Sequence, residues 1–513
     1  VNLANLLLAR ASGRRREMAV RGALGASPAR LLRLALGETV VLALAGGGIG
    51  LLLAHFALRA LLHWAPPGLP RLANVRLDGA VLWFTLGISV LAGVLAGAWP
   101  AWRMARSDPQ EALRAGGGAR AGESPGGRRG RELLAGIETA LTAALLVTAG
   151  LLLASFNRLV NVPKGFNTQH LLTVRLQLPS AEYGQSAQRS GFWRRVLAAT
   201  RGLPGVTAAA VISDPPLSGN TDVNPVTVPG DTRPIIQQPL ANTRRISPGY
   251  LAMMGIPLLS GRELTAADRG HPVAVISAST ARAAWPERNP IGQVFRHGDP
   301  NGTPIRVVGV VADTRAISLL TPPGLMVYQP HGDNFSSTLI VRMALAPAAV
   351  APEVRRAIWG IDPNVPVPAM ESMGAIVAQS VAPRRFQMML VALFAAAALL
   401  LACLGIYGVV SYSVARRTQE MGVRVALGAR PVDLYRMLFW QGLLPVVLGL
   451  GAGLLGALAL GRALASLLFE VQPGDPAALA AAAIILLSVA AAACWGPARR
   501  AVRVNPVTAL RIE

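Results

Sequence analysis

Lysine is all but missing from these 513 residues: Lys164 stands alone, and arginine carries nearly all the positive charge. Acidic residues are scarce as well, 26 against 49 basic ones, and charged residues of both signs make up only 15% of the chain. A soluble chain carries about a quarter, so an ordinary soluble protein is excluded. The formal net charge of +23 would fit a nucleic-acid-binding protein if the arginines lined one groove. They stand instead in short runs beside long apolar stretches, the pattern of loops held on the cytoplasmic side of a membrane. Between Asn157 and Pro383, 20 basic residues meet 13 acidic ones, so most of the excess flanks the apolar segments. Cysteine is nearly absent too. Cys403 and Cys494 lie inside apolar segments without His, Cys or acidic neighbours at ligand spacing, which argues against a disulfide or a metal site. The lone lysine follows Val162-Pro163 and no G-x-x-x-x-G-K-[ST] pattern, so these residues contain no P-loop.

What the chain has in plenty is apolar sequence, 52% of its residues. A bilayer-spanning helix needs ~20 predominantly apolar residues. Leu34–Leu62, Ala80–Trp99, Leu133–Phe156, Phe386–Val414, Met437–Phe469 and Ala477–Trp495 meet that need. Val1–Ala9 is too short and reads as the last turns of a helix that begins outside the sequence. Arg10–Arg33 holds seven arginines and Pro100–Arg131 seven more, which places both on the cytoplasmic side. Asn157–Pro383 changes character, with alternating apolar segments and Pro/Gly turns, and reads as a folded α+β domain on the far side. Strands are predicted at His170–Leu178, Val206–Ser213, Ile305–Val311, Gly324–Tyr328 and Thr338–Arg342. Helices are predicted at Ser186–Arg201, Ala348–Trp359 and Glu371–Ser380. Phe386–Val414 would be ~43 Å long, more than a ~30 Å hydrocarbon core, and is expected to project towards the outer domain.

One stretch occurs twice. Glu17–Pro28, EMAVRGALGASP, and Glu420–Pro431, EMGVRVALGARP, match 403 residues apart at Glu, Met, Val, Arg, Ala, Leu, Gly, Ala and Pro. The match continues at the same offset through Gly46, Gly48 and Gly50 on Gly449, Gly451 and Gly453, and Arg59 on Arg462. Pro100-Ala101 through Ala112-Leu113-Arg114 then falls on Pro497-Ala498 through Ala509-Leu510-Arg511 at an offset of 397. Self-similarity over so long a period points to duplication of a whole domain. An even number of spans separates the two motif copies, so both face the same side, as a parallel repeat requires. Within each copy Glu precedes Arg by four positions, a favourable pairing on a surface helix, and Gly25 or Gly428 ends it with Pro28 or Pro431 beyond. Such a helix can anchor in the interface or insert into a partner's groove. Gly46/Gly50 and Gly449/Gly453 form G-x-x-x-G rows that let a neighbouring helix approach closely.

With its paired spans and the closing PARRAVRVNPVTALR, the chain resembles the permease subunits of the MacB/FtsX-type family of ABC transporters, and in particular their duplicated "orphan" branch. The middle section is similar to that family's outer domain at Lys164-Gly165-Phe166, Leu203-Pro204-Gly205-Val206, Ser247-Pro248-Gly249-Tyr250, Met254-Gly255-Ile256-Pro257 and Asn289-Pro290-Ile291-Gly292. The resemblance implies an α-helical polytopic membrane protein of two parallel FtsX-like repeats with one inserted α+β extracytoplasmic domain. The first repeat would occupy residues 1–114, truncated at its first helix, followed by a cytoplasmic linker over 115–132. A helix over 133–156 would lead into an outer domain over 157–383, and the second repeat would run over 384–513. The resemblance further implies a bacterial inner-membrane location and a role in efflux or export. An ABC ATPase dimer would dock on the cytoplasmic segments formed by Glu17, Arg21, Leu24 and Gly25 and by Glu420, Arg424, Leu427 and Gly428. ATP would act through that partner, with no cofactor, metal or catalytic residue on this chain, and an extracytoplasmic protein and the lipid bilayer would be further partners. No nucleic acid is expected. A different class of reading makes the chain an ATPase-independent scaffold or sensor, with the motif helices as anchors only.

The remaining polar residues support no catalytic constellation. The six histidines lack paired spacing. Ser213-Asp214 precedes Pro215-Pro216 with no histidine nearby to act as base, and a turn closing the preceding strand is the better reading. Glu138, six residues on from Glu132, is either a functional acid within the membrane or an interfacial residue.

Overall fold

The computed structural model describes residues 27–65, 75–105, 125–299, 301–344, 347–416, 424, 427, 430–463, 465 and 468–502. Two bodies divide the chain, one comprising 1–157 with 384–513 and the other 158–383.

The first body is helical. Helices α1 (Pro28–Trp64) and α2 (Gly79–Ala105) form a hairpin, and α3 (Pro125–Asn161) follows. After the outer domain come α8 (Met373–Arg416), α9 (Pro431–Ala463) and α10 (Pro476–Val502). Five of these are long and apolar enough to cross a membrane, and the apolar part of α2 is the shorter stretch Gly79–Leu95. Ser27 has extended backbone before Pro28 at the first helical position of α1, where a missing N–H costs nothing. Pro431 opens α9 at the matching place, so this helix starts six residues before the predicted Met437.

Three apolar clusters hold α3, α8, α9 and α10 together. Ile406, Val410 and Val414 of α8 meet Leu434, Leu438 and Val446 of α9 and Ala490, Cys494 and Ala498 of α10. Ala143 of α3 joins Leu450 and Leu486, and Val147 and Leu151 join Ala457, Val471 and Ala482. Where side chains are small, polar groups add ties. The Thr142 hydroxyl donates within α3 to Glu138 O at 2.8 Å and lies 3.3 Å from Ala398 O of α8, and Phe469 N donates to Ser155 Oγ at 2.8 Å.

The second body is built on eleven strands. Strands β1 (Leu171–Gln177), β2 (Val206–Ile212), β10 (Ser336–Met343) and β11 (Glu371–Ser372) form an antiparallel sheet in the order β11-β1-β10-β2. Side chains alternate across a strand, and Leu172, Val174 and Leu176 of β1 share one face with Ala209, Val211, Leu339 and Val341. That face is covered by Phe192, Trp193 and Val196 of α4 (Ser186–Arg201) and by Val350, Val354 and Ile358 of α7 (Pro347–Trp359).

Between β2 and β10 the chain inserts β3 (Val223–Thr227), β4 (Leu240–Ile246), α5 (Tyr250–Met254), β5 (Leu258–Gly261), β6 (Val273–Ser277), α6 (Ala278–Ala284), β7 (Val294–His297), β8 (Ile305–Val311) and β9 (Met326–Pro330). Strand pairing runs β4-β3-β7-β8-β6-β9 and returns from β9 to β4, closing a ring of six. Closure leaves no edge among these strands to pair with another chain. Val226, Ala241, Ile276, Phe295, Val307 and Val327, one or more from each strand, share an apolar cluster with Trp285. Ile212 and Ile246 pair where the sheet meets the ring.

The predicted helix over 186–201 and strand over 305–311 coincide with α4 and β8, and the other predicted strands overlap β1, β2, β9 and β10. The helix predicted over 371–380 is present from Met373, its first two predicted residues pairing with β1 instead, and it continues as the first part of α8, 44 residues long.

Candidate functional site

The motif copies meet the described structure at few residues. Glu17, Arg21, Leu24, Gly25, Glu420 and Gly428 lie outside the described residues. Arg424 Nη1 donates to Met437 Sδ of α9 at 2.9 Å, and Leu427 is 82% exposed. Just beyond, Asp433 N donates to Arg430 O at 3.0 Å as α9 begins. This end of α9 rests on the cluster that joins Leu434 and Leu438 to Val410 and Val414 of α8, with Tyr435 stacked on Trp495 of α10 at 6.2 Å.

The glycine rows differ in their surroundings. A Cβ added at Gly449 would meet Gly136 O and lie 2.8 Å from Thr139 Cβ, and one at Gly453 would meet Ala140 O and lie 2.7 Å from Ala143 Cβ. Only a hydrogen side chain lets α9 approach α3 this closely. At Gly46 and Gly50 nothing among the described residues stands within 4 Å. The face of α1 that meets α2 carries Thr39, Ala43 and Gly47 against Gly97, Gly93 and Ser89. Gly47 is one position beyond Gly46, about 100° around the helix.

Elsewhere the polar residues have structural duties. The Lys164 ammonium donates to Val160 O at 3.0 Å, one turn back at the end of α3. Gly165 has φ 78° and its missing Cβ would crowd Asp313 O and Thr314 Cα, so the Lys-Gly-Phe sequence accepts no larger residue at its centre. Ser213 Oγ accepts from Arg245 N at 3.2 Å and Asp214 accepts from Asn220 Nδ2 at 2.9 Å, the turn that ends β2. Glu138 is half-buried on α3. Among the described residues no group of three His, Cys, Asp or Glu side chains is placed to hold a metal ion.

Two features of the outer domain escaped the sequence reading. His331 is buried, with Nε2 2.9 Å from Ser337 Oγ and its ring edge-on to Trp193. Burial, with Arg269 and Arg245 adding repulsion, pushes its pKa down to about 4. Beside it, Arg189 donates to Asp333 Oδ2 at 3.1 Å and to Tyr183 O at 2.9 Å while its guanidinium lies 4.2 Å from the Phe335 ring centre, so α4 clamps the 331–335 loop. The second feature is the β3–β4 loop. Arg233 grips Asp231 through paired hydrogen bonds, the Thr227 hydroxyl donates to Gln238 Oε1 at 2.6 Å, and the turn so held presents Ile236 at 85% exposure. Its sequence signal is an Ile-Ile pair set between Pro234 and polar Gln237-Gln238.

The family model described as FtsX-like permease C-terminal matches residues 1–109 and 392–506, and that described as MacB-like periplasmic core domain matches 139–361. The macrolide export ATP-binding/permease protein MacB of Bdellovibrio bacteriovorus is 28% identical over 292 residues, which cover 52% of this chain and 43% of that protein. The uncharacterized ABC transporter permease YknZ of Bacillus subtilis is 25% identical over 290 residues, 53% of this chain and 70% of that one. Among solved structures, the periplasmic region of MacB from Actinobacillus actinomycetemcomitans aligns at 15% identity and a TM-score of 0.29, covering 43% of this chain and 95% of that chain. The chain thus spans less than half the length of the MacB relative and most of the permease YknZ. Apolar helices sufficient for repeated membrane crossing, FtsX-like segments on both sides of a MacB-like core domain, and permease relatives lead to one conclusion: the chain is a multi-pass membrane protein of the MacB/FtsX-type family of ABC transporter permeases.

Proposed function

We propose that this permease component couples an ATPase on the cytoplasmic face to movement of its extracytoplasmic domain, in export or efflux, without itself carrying a catalytic site. Two FtsX-like repeats would form a pseudo-dimer that receives a two-part ATPase at Glu17–Gly25 and Glu420–Gly428. The observation that carries this reading is α8, a single helix of 44 residues with Pro383 inside it, ~66 Å at 1.5 Å per residue. Its residues 373–383 belong to the outer body and the remainder to the helical one, and Val410 and Val414 near its end share a cluster with Leu434 and Leu438 of α9, three and seven residues beyond Pro431 at the end of the second motif. A helix is stiff along its axis, so displacement near the motif would be carried along the part of α8 in the helical body as far as Pro383, where the missing N–H interrupts the hydrogen-bond ladder. The MacB relative is named for macrolide export by an ATP-binding permease, and the present reading assigns this chain the permease share of such work.

The test is affinity purification of the chain in mild detergent, wild type against Glu17→Ala/Glu420→Ala, with mass spectrometry of the proteins retained. An ABC ATPase is expected with wild type and lost from the variant. If wild type retains extracytoplasmic proteins but no ATPase, the coupling role falls and the scaffold or sensor takes its place.

A further inference from the structure

In the outer domain α4 carries two arginines that hold no other part of the fold. Its Phe192, Trp193 and Val196 face the apolar layer on the sheet, while Ala187, Gly191, Arg194 and Arg195 fall at i, i+4, i+7 and i+8 on the side turned away from it. Among the described residues neither Arg194 nor Arg195 makes a hydrogen bond or an ion pair. Arg189, on the same helix, is by contrast bound to Asp333, Tyr183 and Gly184. Gly191 is unusual for another reason. Its backbone is helical and no described residue comes within 4 Å of a Cβ built on it, so neither conformation nor packing requires glycine where alanine would favour the helix.

Both features open onto one cavity of about 440 Å³, which lies between this face of α4 and the residues Glu182, Tyr183 and Asp362. Small-molecule clefts span about 300–1,000 Å³. The walls of this one are held by the fold itself. Glu182 N and Tyr183 N donate to Pro179 O at 3.3 and 3.0 Å, and Arg189 ties the resulting turn to α4 by donating to Tyr183 O at 2.9 Å and Gly184 O at 2.8 Å. Opposite, Asp362 N donates to Ile358 O at the end of α7, and the Tyr183 hydroxyl donates to Asp362 Oδ2 at 2.6 Å, which joins the two walls. Asp362 is thereby engaged, and it also accepts from Asn364 N at 2.9 Å. Glu182 is held only by Asn364 Nδ2, at 3.5 Å. Gln188 accepts from Gln185 N through Oε1 at 3.1 Å, which leaves its Nε2 as a further donor in the cavity.

Two guanidinium groups and one amide N–H donor in a preformed cleft match the oxygens of a carboxylate or phosphate. Glu182 would repel a bare anion, but as an acceptor it matches a hydroxyl donor carried on the same molecule. We infer that the cavity between α4 and the end of α7 is a binding site for a small hydroxylated anion, a sugar acid or sugar phosphate. Its anionic group sits on Arg194 and Arg195, a hydroxyl donates to Glu182, and the carbon ring lies over Ala187 and Gly191, where only small residues leave room for it. The site belongs wholly to the outer body and is independent of ATPase coupling.

The test is isothermal titration calorimetry of the whole 513-residue chain in mild detergent, with glucose 6-phosphate, glucuronate, inorganic phosphate and neutral glucose as probes. Saturable binding of glucose 6-phosphate or glucuronate is expected, about tenfold or more tighter than that of glucose or inorganic phosphate, and the tighter of the two identifies the anionic group. Arg194→Gln/Arg195→Gln weakens this binding about tenfold or more. Arg288→Gln/Arg306→Gln removes the same charge from exposed positions elsewhere in the outer domain and leaves binding unchanged. Glu182→Ala weakens the sugar anion several-fold without weakening inorganic phosphate. Gly191→Leu fills the floor and abolishes binding, yet melts no lower than wild type because its new atoms meet no described residue. Circular dichroism establishes that each variant is folded. No saturable binding of either sugar anion to wild type overturns the inference, as does equal weakening by the two arginine pairs or binding retained in Gly191→Leu. Inorganic phosphate bound as tightly as the sugar anions overturns the assignment to a hydroxylated ligand. No nucleotide or ATPase is present, so failure of the coupling role leaves the outcome unaffected.

Discussion

A buried histidine is a liability as pH falls, and His331 is placed to register it. Its folded-state pKa is about 4, below the unfolded value of 6.5, because burial and two nearby arginines disfavour the imidazolium. Between these values the unfolded chain binds more protons than the folded one, so stability increases with pH. The contribution is complete above pH ~6.5 and is lost progressively as pH falls towards ~4, by about 3 kcal/mol in all at 1.36 kcal/mol per pKa unit. Chemical denaturation of the purified protein, followed through its tryptophan fluorescence, should show this slope. His331→Gln should flatten it while retaining a partner for Ser337, and an unchanged slope would remove His331 as its source. In the sequence His331 is one of six scattered histidines, none with paired spacing. Its burial arises because α4 sets Trp193 and Arg189 beside the loop from 141 to 144 residues away in sequence, a proximity that no local pattern encodes.

At the scale of the helix, identical substitutions in the two glycine rows should have unequal effects. Leucine at Gly449 and Gly453 would drive side chains into Gly136, Thr139, Ala140 and Ala143, and overpacking of this kind costs about 1–3 kcal/mol per site. The melting temperature of Gly449→Leu/Gly453→Leu in detergent should drop clearly. Gly46→Leu/Gly50→Leu, whose new atoms meet open space, should melt close to wild type in the same detergent. Equal losses in the two rows would mean that both are already occupied. The rows themselves were legible as G-x-x-x-G, but which of them touches a neighbour was not, since one residue along the helix turns the contact by about 100°. Strands show a similar limit. Alternation exposed β1 and β2, while β3, β6 and β7, at four or five residues each, are too short for a periodic signal and exist through their place in the ring.

For the whole molecule the consequence is topological. The proposed parallel repeats would put the start of α1 and the start of α9 on one side of the membrane, and the outer domain on the other. Single cysteines introduced at Arg30, Asp433 and Gln188, in a background with Cys403→Ala/Cys494→Ala, test this in intact cells with a membrane-impermeant maleimide. Gln188→Cys should label from outside, and Arg30→Cys and Asp433→Cys only after permeabilisation. Labelling of Arg30→Cys and Asp433→Cys from opposite sides would rule out a parallel repeat.

Membrane character, the motif pair and the place of the outer domain in the chain were determined by the sequence alone, because hydropathy and self-similarity are properties of the chain read along one dimension. Hydropathy works here since each spanning helix must satisfy its own backbone and so announces itself locally. Only the tertiary structure decided that six strands close on themselves, that α8 begins at Met373 inside the outer body, and that Gly449 and Gly453 hold α3 while no described residue comes within 4 Å of a Cβ at Gly46 or Gly50. Those outcomes depend on which distant residues meet, and strand closure and helix approach are selected by the combined packing of segments up to several hundred residues apart.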